Sequence, residues 1–330
     1  MIGNQKVTVV MYHYVRDLKH SRYPAIHGLD RTLFIEQVEY LRKHYVPVTM
    51  EQVIAAGRPG GEPLPPKAVL LTFDDGYTDH FTTVFPILKN RNIQGSFFAP
   101  IKALTENTVL DVNKIHFILA SGSTPKEIIN HIRILLEQYG REGYELDTLE
   151  SYYQRLAGFD RFDTPEVLFI KRLLQVELPL EVRTQMTDSL FTRIVGINPE
   201  TFSRELYMTR EQMQCMVDAG MHIGSHGYDH FWFNSLPKEQ QEREIDLSIR
   251  FIKDIYGSRY TGDWTICYPY GGYNEDTLDL LRKYGCAAGF TTTVKVADLS
   301  EDSLFTLPRL DTNDIPKSRD AQTNDWYAQG

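Results

Sequence analysis

The chain has 330 residues, 42% of them hydrophobic and 24% charged, and carries a net charge of −9 at pH 7. That length supports a large core, either one barrel or two smaller domains, and an acidic balance with no basic stripe argues against a nucleic-acid binder. Three widely spaced cysteines (Cys215, Cys267, Cys286) without a C-x-x-C pair argue against a disulfide framework or a thiolate zinc site. The opening Met1-Ile2-Gly3-Asn4-Gln5-Lys6 lacks the order of a signal peptide, and no apolar run nears the roughly 18 residues that span a bilayer, so the expected location is cytoplasmic.

Val7 to Tyr12 is β-branched and bounded by polar residues, which predicts a first buried strand. A helix follows from about Leu33 to His44, with Phe34, Val38 and Leu41 at helical spacing. Gly57 to Pro66 is a Gly- and Pro-rich loop. The apolar run Ala68 to Leu71 predicts a buried strand that leads into Thr72-Phe73-Asp74-Asp75-Gly76. A helix over Val84 to Arg91 and a strand over Gly95 to Ala99 complete an alternation typical of parallel strands with crossover helices. From about Ile101 to Tyr207 the pattern turns helical, with amphipathic stretches at Lys126 to Tyr139 and Glu166 to Val176. This reads as an insertion at about 101–208 within a single domain spanning 1–330. Its aromatics (Tyr144, Tyr152, Tyr153, Phe159, Phe162) line a sugar pocket or, the commoner outcome for such residues, form the insertion's own core.

The alternation resumes at Thr209-Arg210-Glu211-Gln212, a capping box opening a helix that stops at Gly220. Strands are expected at Met221 to Ser225, Ile266 to Tyr268, Ala287 to Thr291 and Leu304 to Arg309. A long helix begins near Pro237 and ends at Gly257, and another runs from Glu275 to Tyr284. About seven strands interleaved with helices suffice for an α/β barrel, whose chemistry gathers at the C-terminal strand ends.

The motifs lie at such ends. Adjacent carboxylates at Asp74 and Asp75 repel one another, and keeping both ionised calls for a nearby cation. His226 and His230, four apart after the strand expected at Met221 to Ser225, can hold one metal from a tight loop. Alone such a pair arises often by chance; beside an Asp-Asp-Gly it gains weight. Two imidazoles and one carboxylate leave a coordination position open for water, the pattern of a catalytic site. This donor set suits zinc most, with cobalt, nickel or iron as alternatives. Tyr268-Pro269-Tyr270-Gly271-Gly272 is an ordinary Pro/Gly turn or a presenter of backbone N–H groups to an oxyanion. His13, right after the first strand, sits on the expected barrel rim, where a functional role outweighs that of a core histidine. Arg309 at the end of the last strand pairs with a buried carboxylate such as Asp74 or makes a surface salt bridge, two even alternatives.

Thr72-Phe73-Asp74-Asp75-Gly76, His226-x-x-x-His230 and Tyr268-Pro269-Tyr270-Gly271 resemble the first three motifs of the polysaccharide deacetylases of carbohydrate esterase family 4. The resemblance covers roughly residues 5–100 and 209–312 and leaves the insertion out. It implies a distorted (β/α)7 barrel with a helical insertion, and metal-dependent removal of N- or O-acetyl groups from a sugar or glycan. By it, Asp74 would be the general base, Asp75, His226 and His230 the metal ligands, and the Tyr270 N–H an oxyanion donor. Two departures stand out. Cys267 occupies the place of an arginine that usually holds the base, a contact Arg309 would have to supply. No histidine follows His230, so the usual C-terminal acid is missing; Tyr12-His13 matches the branch similar to biofilm poly-N-acetylglucosamine deacetylases, which carries that histidine near the N-terminus, and makes His13 the expected acid. The alternatives are a glycan-binding protein with a vestigial metal site and a deformylase or amidase acting on another small acyl group.

Overall fold

The computed structural model describes residues 5–159 and 163–330, so Phe162 lies outside the described residues. The chain divides into two compact units: Met1–Asp17, Gly28–Asn107 and Arg204–Gly330 form one, Leu18–His27 and Thr108–Ser203 the other.

The first unit is built on seven parallel strands: β1 (Lys6–Tyr12), β2 (Ala68–Asp74), β3 (Gly95–Ala99), β4 (His222–Ser225), β5 (Trp264–Cys267), β6 (Cys286–Phe290) and β7 (Leu310–Asp311). Each of the first six pairs in parallel with the next, and β7 returns to β1 with Leu310 opposite Val10. The ring closes between β6 and β7 through a bridge from Phe290 to Leu307 and a bond from the Arg309 N–H to the Thr293 carbonyl, 2.9 Å. This is a distorted (β/α)7 barrel. The last strand was expected over Leu304 to Arg309; regular pairing begins only at Leu310 because Pro308 has no N–H to give the ladder. Every residue of β2 is buried, as a strand covered on both faces requires, which is why it reads as an apolar run.

Crossover helices start where their caps put them. Asp30 accepts the Thr32 N–H ahead of Arg31–His44, and Thr209 with Gln212 forms a capping box ahead of Arg210–Asp218. Phe34, Val38, Met213 and Met216 pack with Val10, Phe73, Phe97 and Ile223 in one core. The helix expected over Val84 to Arg91 departs from plan. Pro86 cannot donate to Thr82, and the Phe85 N–H reaches back five residues to the His80 carbonyl, giving a wide turn over His80–Val84 before Phe85–Lys89.

The second unit is helical, with Asp111–Leu119, Pro125–Arg141, Leu149–Leu156, Pro165–Arg172 and Leu180–Ile194 as its main elements. Tyr152 is buried in it, Tyr153 packs on Phe169 at 5.0 Å and Tyr144 meets Tyr139 edge-on at 6.1 Å, so these three serve the unit's own packing. Phe159 is 85% exposed. No helix among the described residues is long and apolar enough to cross a membrane.

Candidate metal centre and active site

All seven residues singled out as site candidates lie in the barrel unit: Asp74 closes a strand, His13, Asp75, His226, His230 and Tyr270 follow strand ends, and Arg309 immediately precedes β7. Asp74 is the last residue of β2 and Asp75 leaves it with φ 77°, a left-handed backbone. Gly76 continues with φ 65°, and a Cβ there would lie 2.7 Å from the Ala99 Cβ, so only glycine passes. After β4, the His226 N–H donates to the Ala99 carbonyl, and the loop turns through His230 at φ 58°. Asp75, Tyr270 and His230 are three of the six non-glycine residues with positive φ among the described residues, so backbone strain gathers at this site.

Three donor atoms converge. The Nε2 atoms of His226 and His230 are 3.2 Å apart, and Asp75 Oδ1 lies 3.5 Å from the first and 3.4 Å from the second. A tetrahedral ion with bonds of about 2.0–2.1 Å spaces its ligands about 3.3–3.4 Å apart, so the residues present fit zinc or a similar divalent ion. The His226 Nδ1 is 2.8 Å from the Cys267 carbonyl, which can only accept; that contact puts the proton on Nδ1 and leaves Nε2 its lone pair. The electrostatics agree. Burial works against the charge of Asp75, yet hydrogen bonds with His226 and His230 hold it well below the usual carboxylate range. Burial also opposes a charged His226, but Asp74 and Asp75 push it up, whereas at His230 burial prevails and pushes it down. Two rings that share one carboxylate oxygen are thus pushed in opposite directions, and their nitrogens converge with Asp75 where a cation would sit.

Asp74 is clamped. Arg309 donates from Nη1 to Oδ1 at 2.9 Å and from Nη2 to Oδ2 at 2.8 Å, and both side chains are fully buried. The guanidinium is itself held by the Thr291 carbonyl, by Thr72 Oγ1 and by Cys267 Sγ at 3.1 Å. Of the two alternatives open for Arg309, the structure gives the buried pair. Cys267 is small enough to leave the guanidinium room where the resemblance placed an arginine. Burial would raise the Asp74 pKa, but Arg309, followed by His226, lowers it to about 2. Two carboxylates against one guanidinium leave the pocket short of positive charge.

His13 follows β1, half-buried, and its charge adds a smaller pull on both carboxyls. Tyr270, at φ 56°, forms a turn closed by the Gly271 N–H on the Tyr268 carbonyl. Its ring stacks on Trp232 at 4.5 Å and meets His230 edge-on at 4.8 Å.

Four supporting residues have no signal in the motifs. The Tyr77 hydroxyl donates to Asp75 Oδ2 at 2.5 Å and, with its pKa pushed up by burial and by Asp75, stays a donor. His80, pushed down to about 4 by burial and therefore neutral, bonds the His13 carbonyl through Nε2 at 2.9 Å. Trp232 backs Tyr270, and Glu244 holds the loop between the two histidines. Only Tyr77, adjacent to the Asp-Asp-Gly, could have been suspected from position.

Comparison with known proteins places these features. The chain is 56% identical over 55 residues (16% of this chain, 8% of the relative) to poly-beta-1,6-N-acetyl-D-glucosamine N-deacetylase of Escherichia coli (strain K12). It is 36% identical over 90 residues (27% of each chain) to peptidoglycan deacetylase of Helicobacter pylori (strain ATCC 700392 / 26695). It spans at most about a third of the length of the curated relatives it matches. Its fold resembles that of the Streptococcus pyogenes deacetylase PplD in complex with acetate, with a TM-score of 0.57, 19% identity and 95% of each chain covered. The polysaccharide deacetylase family profile matches residues 61–132 and 190–289, more than half of the chain. The matched stretches run into both ends of the segment that the motif resemblance left out, and they stop short of His13 and Arg309. On that match, over the strands that carry the Asp pair, both histidines and the Tyr270 turn, the chain belongs to the polysaccharide deacetylase family.

Proposed function

We propose that the protein is a metal-dependent deacetylase that hydrolyses the acetyl group of an N- or O-acetylated sugar or glycan. The observation that carries this reading is the three-donor cluster of Asp75, His226 and His230 beside a carboxylate, Asp74, clamped by Arg309. A divalent ion held there, zinc by the softness of two imidazoles and one carboxylate, would acidify water and polarise the acyl oxygen. Asp74, held ionised by Arg309, accepts the proton from the attacking water. The Tyr270 N–H donates to the oxyanion, an interaction typically worth about 3 kcal/mol. His13 donates a proton to the leaving amine or alcohol. Its place is supported by His80, which fixes the His13 carbonyl.

The names of the relatives, an N-acetylglucosamine-polymer deacetylase and a peptidoglycan deacetylase, favour an N-acetylated glucosamine-type sugar as substrate. Of the two features that favour an inert glycan binder, the missing motif arginine and the large insertion, the first is countered by Arg309, which pairs with Asp74. The test is acetate release from N-acetylglucosamine oligomers by protein stripped with chelator and then reloaded with zinc or cobalt. Metal-restored release supports the proposal. Release of formate from N-formyl sugars with no acetate release would move the reading to a deformylase.

A further inference from the structure

The loop that carries both histidines has little of its own to hold it. Between His226 and His230 it contains two left-handed residues, Gly227 at φ 74° and His230 at φ 58°. Its conformation is imposed from two sides. On one, the helix Ile101–Thr105 gives the Lys102 N–H to the Tyr228 carbonyl at 2.9 Å, and Lys102 Nζ meets Asp229 Oδ2 at 2.5 Å. On the other, Glu244 in the middle of the helix Lys238–Tyr256 accepts both the Tyr228 N–H and the Asp229 N–H on a single oxygen, Oε2, each at 2.8 Å. Glu244 is 6% exposed, and nearby Asp229 repels its charge. A helix interior position facing the core ordinarily takes an apolar residue. A carboxylate buried there is expensive unless its bonds matter, and its bonds go to the two residues just ahead of His230.

We propose that Glu244 is a positioning residue for the metal centre, its Oε2 fixing the Tyr228–Asp229 backbone so that the His226 and His230 Nε2 atoms sit at ligand spacing. This rests on the metal-dependent reading above. Losing the acceptor lets the loop relax and spreads the two nitrogens, which weakens metal binding without removing a ligand. Supporting partners of metal ligands typically contribute about 10–100-fold in affinity.

The test is zinc affinity of the chelator-stripped protein, measured by competition with a chromophoric chelator, together with the visible spectrum of the cobalt-loaded form. Glu244→Ala should bind zinc about 10–100-fold more weakly with an altered cobalt spectrum, and Glu244→Gln, which keeps an oxygen acceptor, should recover most of the loss. If Glu244→Ala does not fold, Glu244→Asp replaces it, since shortening the side chain withdraws the oxygen from both N–H groups. Wild-type affinity and spectrum in a folded Ala or Asp variant would overturn the proposal, as would a Gln variant as weak as Ala. A wild-type protein that takes up neither metal would instead defeat the metal-dependent reading itself, so the two failures are distinct.

Discussion

Two buried acids carry opposite strains. Asp74 is stabilised in its charged form by a bidentate arginine, so removing the arginine strands a charge in the interior. Arg309→Ala should therefore cost about 3–5 kcal/mol in urea unfolding, the usual toll of breaking a buried pair from one side. Glu244 is strained the other way: burial pushes it up to about 7, against its two N–H bonds. An unfolded glutamic acid titrates near pH 4.5, so between about pH 4.5 and 7 the folded protein binds the proton more tightly. Its contribution to stability is present below that window and lost as pH rises through it. Glu244→Gln should flatten this limb of the pH–stability curve, gaining up to about 3 kcal/mol over wild type at pH 8 and about nothing at pH 4. Chemical unfolding of the metal-free proteins across pH 4–8 checks it.

The strand-end loops place the chemistry, and those after β2, β4 and β5 each turn through a left-handed non-glycine residue. Tyr270 is held in that state by its stack on Trp232 and its edge contact with His230. Trp232→Ala should lower kcat by about 10²-fold, the penalty for misplacing a catalytic group by about an ångström, with zinc affinity unchanged. Trp232→Phe, which can still stack, should keep most of the rate. The same loops show what the sequence could and could not convey. Asp74, Asp75, His226, His230 and Tyr270 were legible because they follow apolar runs in recognisable local patterns. The β1 to β6 alternation was legible because buried parallel strands are short apolar runs bounded by polar turns. Glu244 and His80 were not, because a side chain returning to a distant backbone leaves no local periodicity, and Tyr77 offered only its place beside the Asp-Asp-Gly. Proline accounts for the two misplaced boundaries: Pro308 interrupts the last strand's ladder, and Pro86 opens the turn before Phe85–Lys89. Arg309 was half-visible, since its position at a strand end was clear but its reach to Asp74 depended on Cys267 leaving room.

At the scale of the whole molecule, barrel closure brings β2, β4, β5 and β7 to one rim, so residues from position 74 to position 309 meet in one centre. A metal bound only by the folded barrel adds stability by mass action, about 2.7 kcal/mol at a free concentration of 100 Kd. Zinc should raise the Tm of the chelator-stripped protein and fail to do so in Asp75→Ala. The division of labour between the two aspartates is tested most directly by zinc content and acetate release, measured side by side on wild type and Asp74→Asn. The variant should hold a full complement of zinc and turn over at least about 10²-fold more slowly, as loss of a general base requires. Near-wild-type turnover by Asp74→Asn would contradict the assignment of Asp74 as the base.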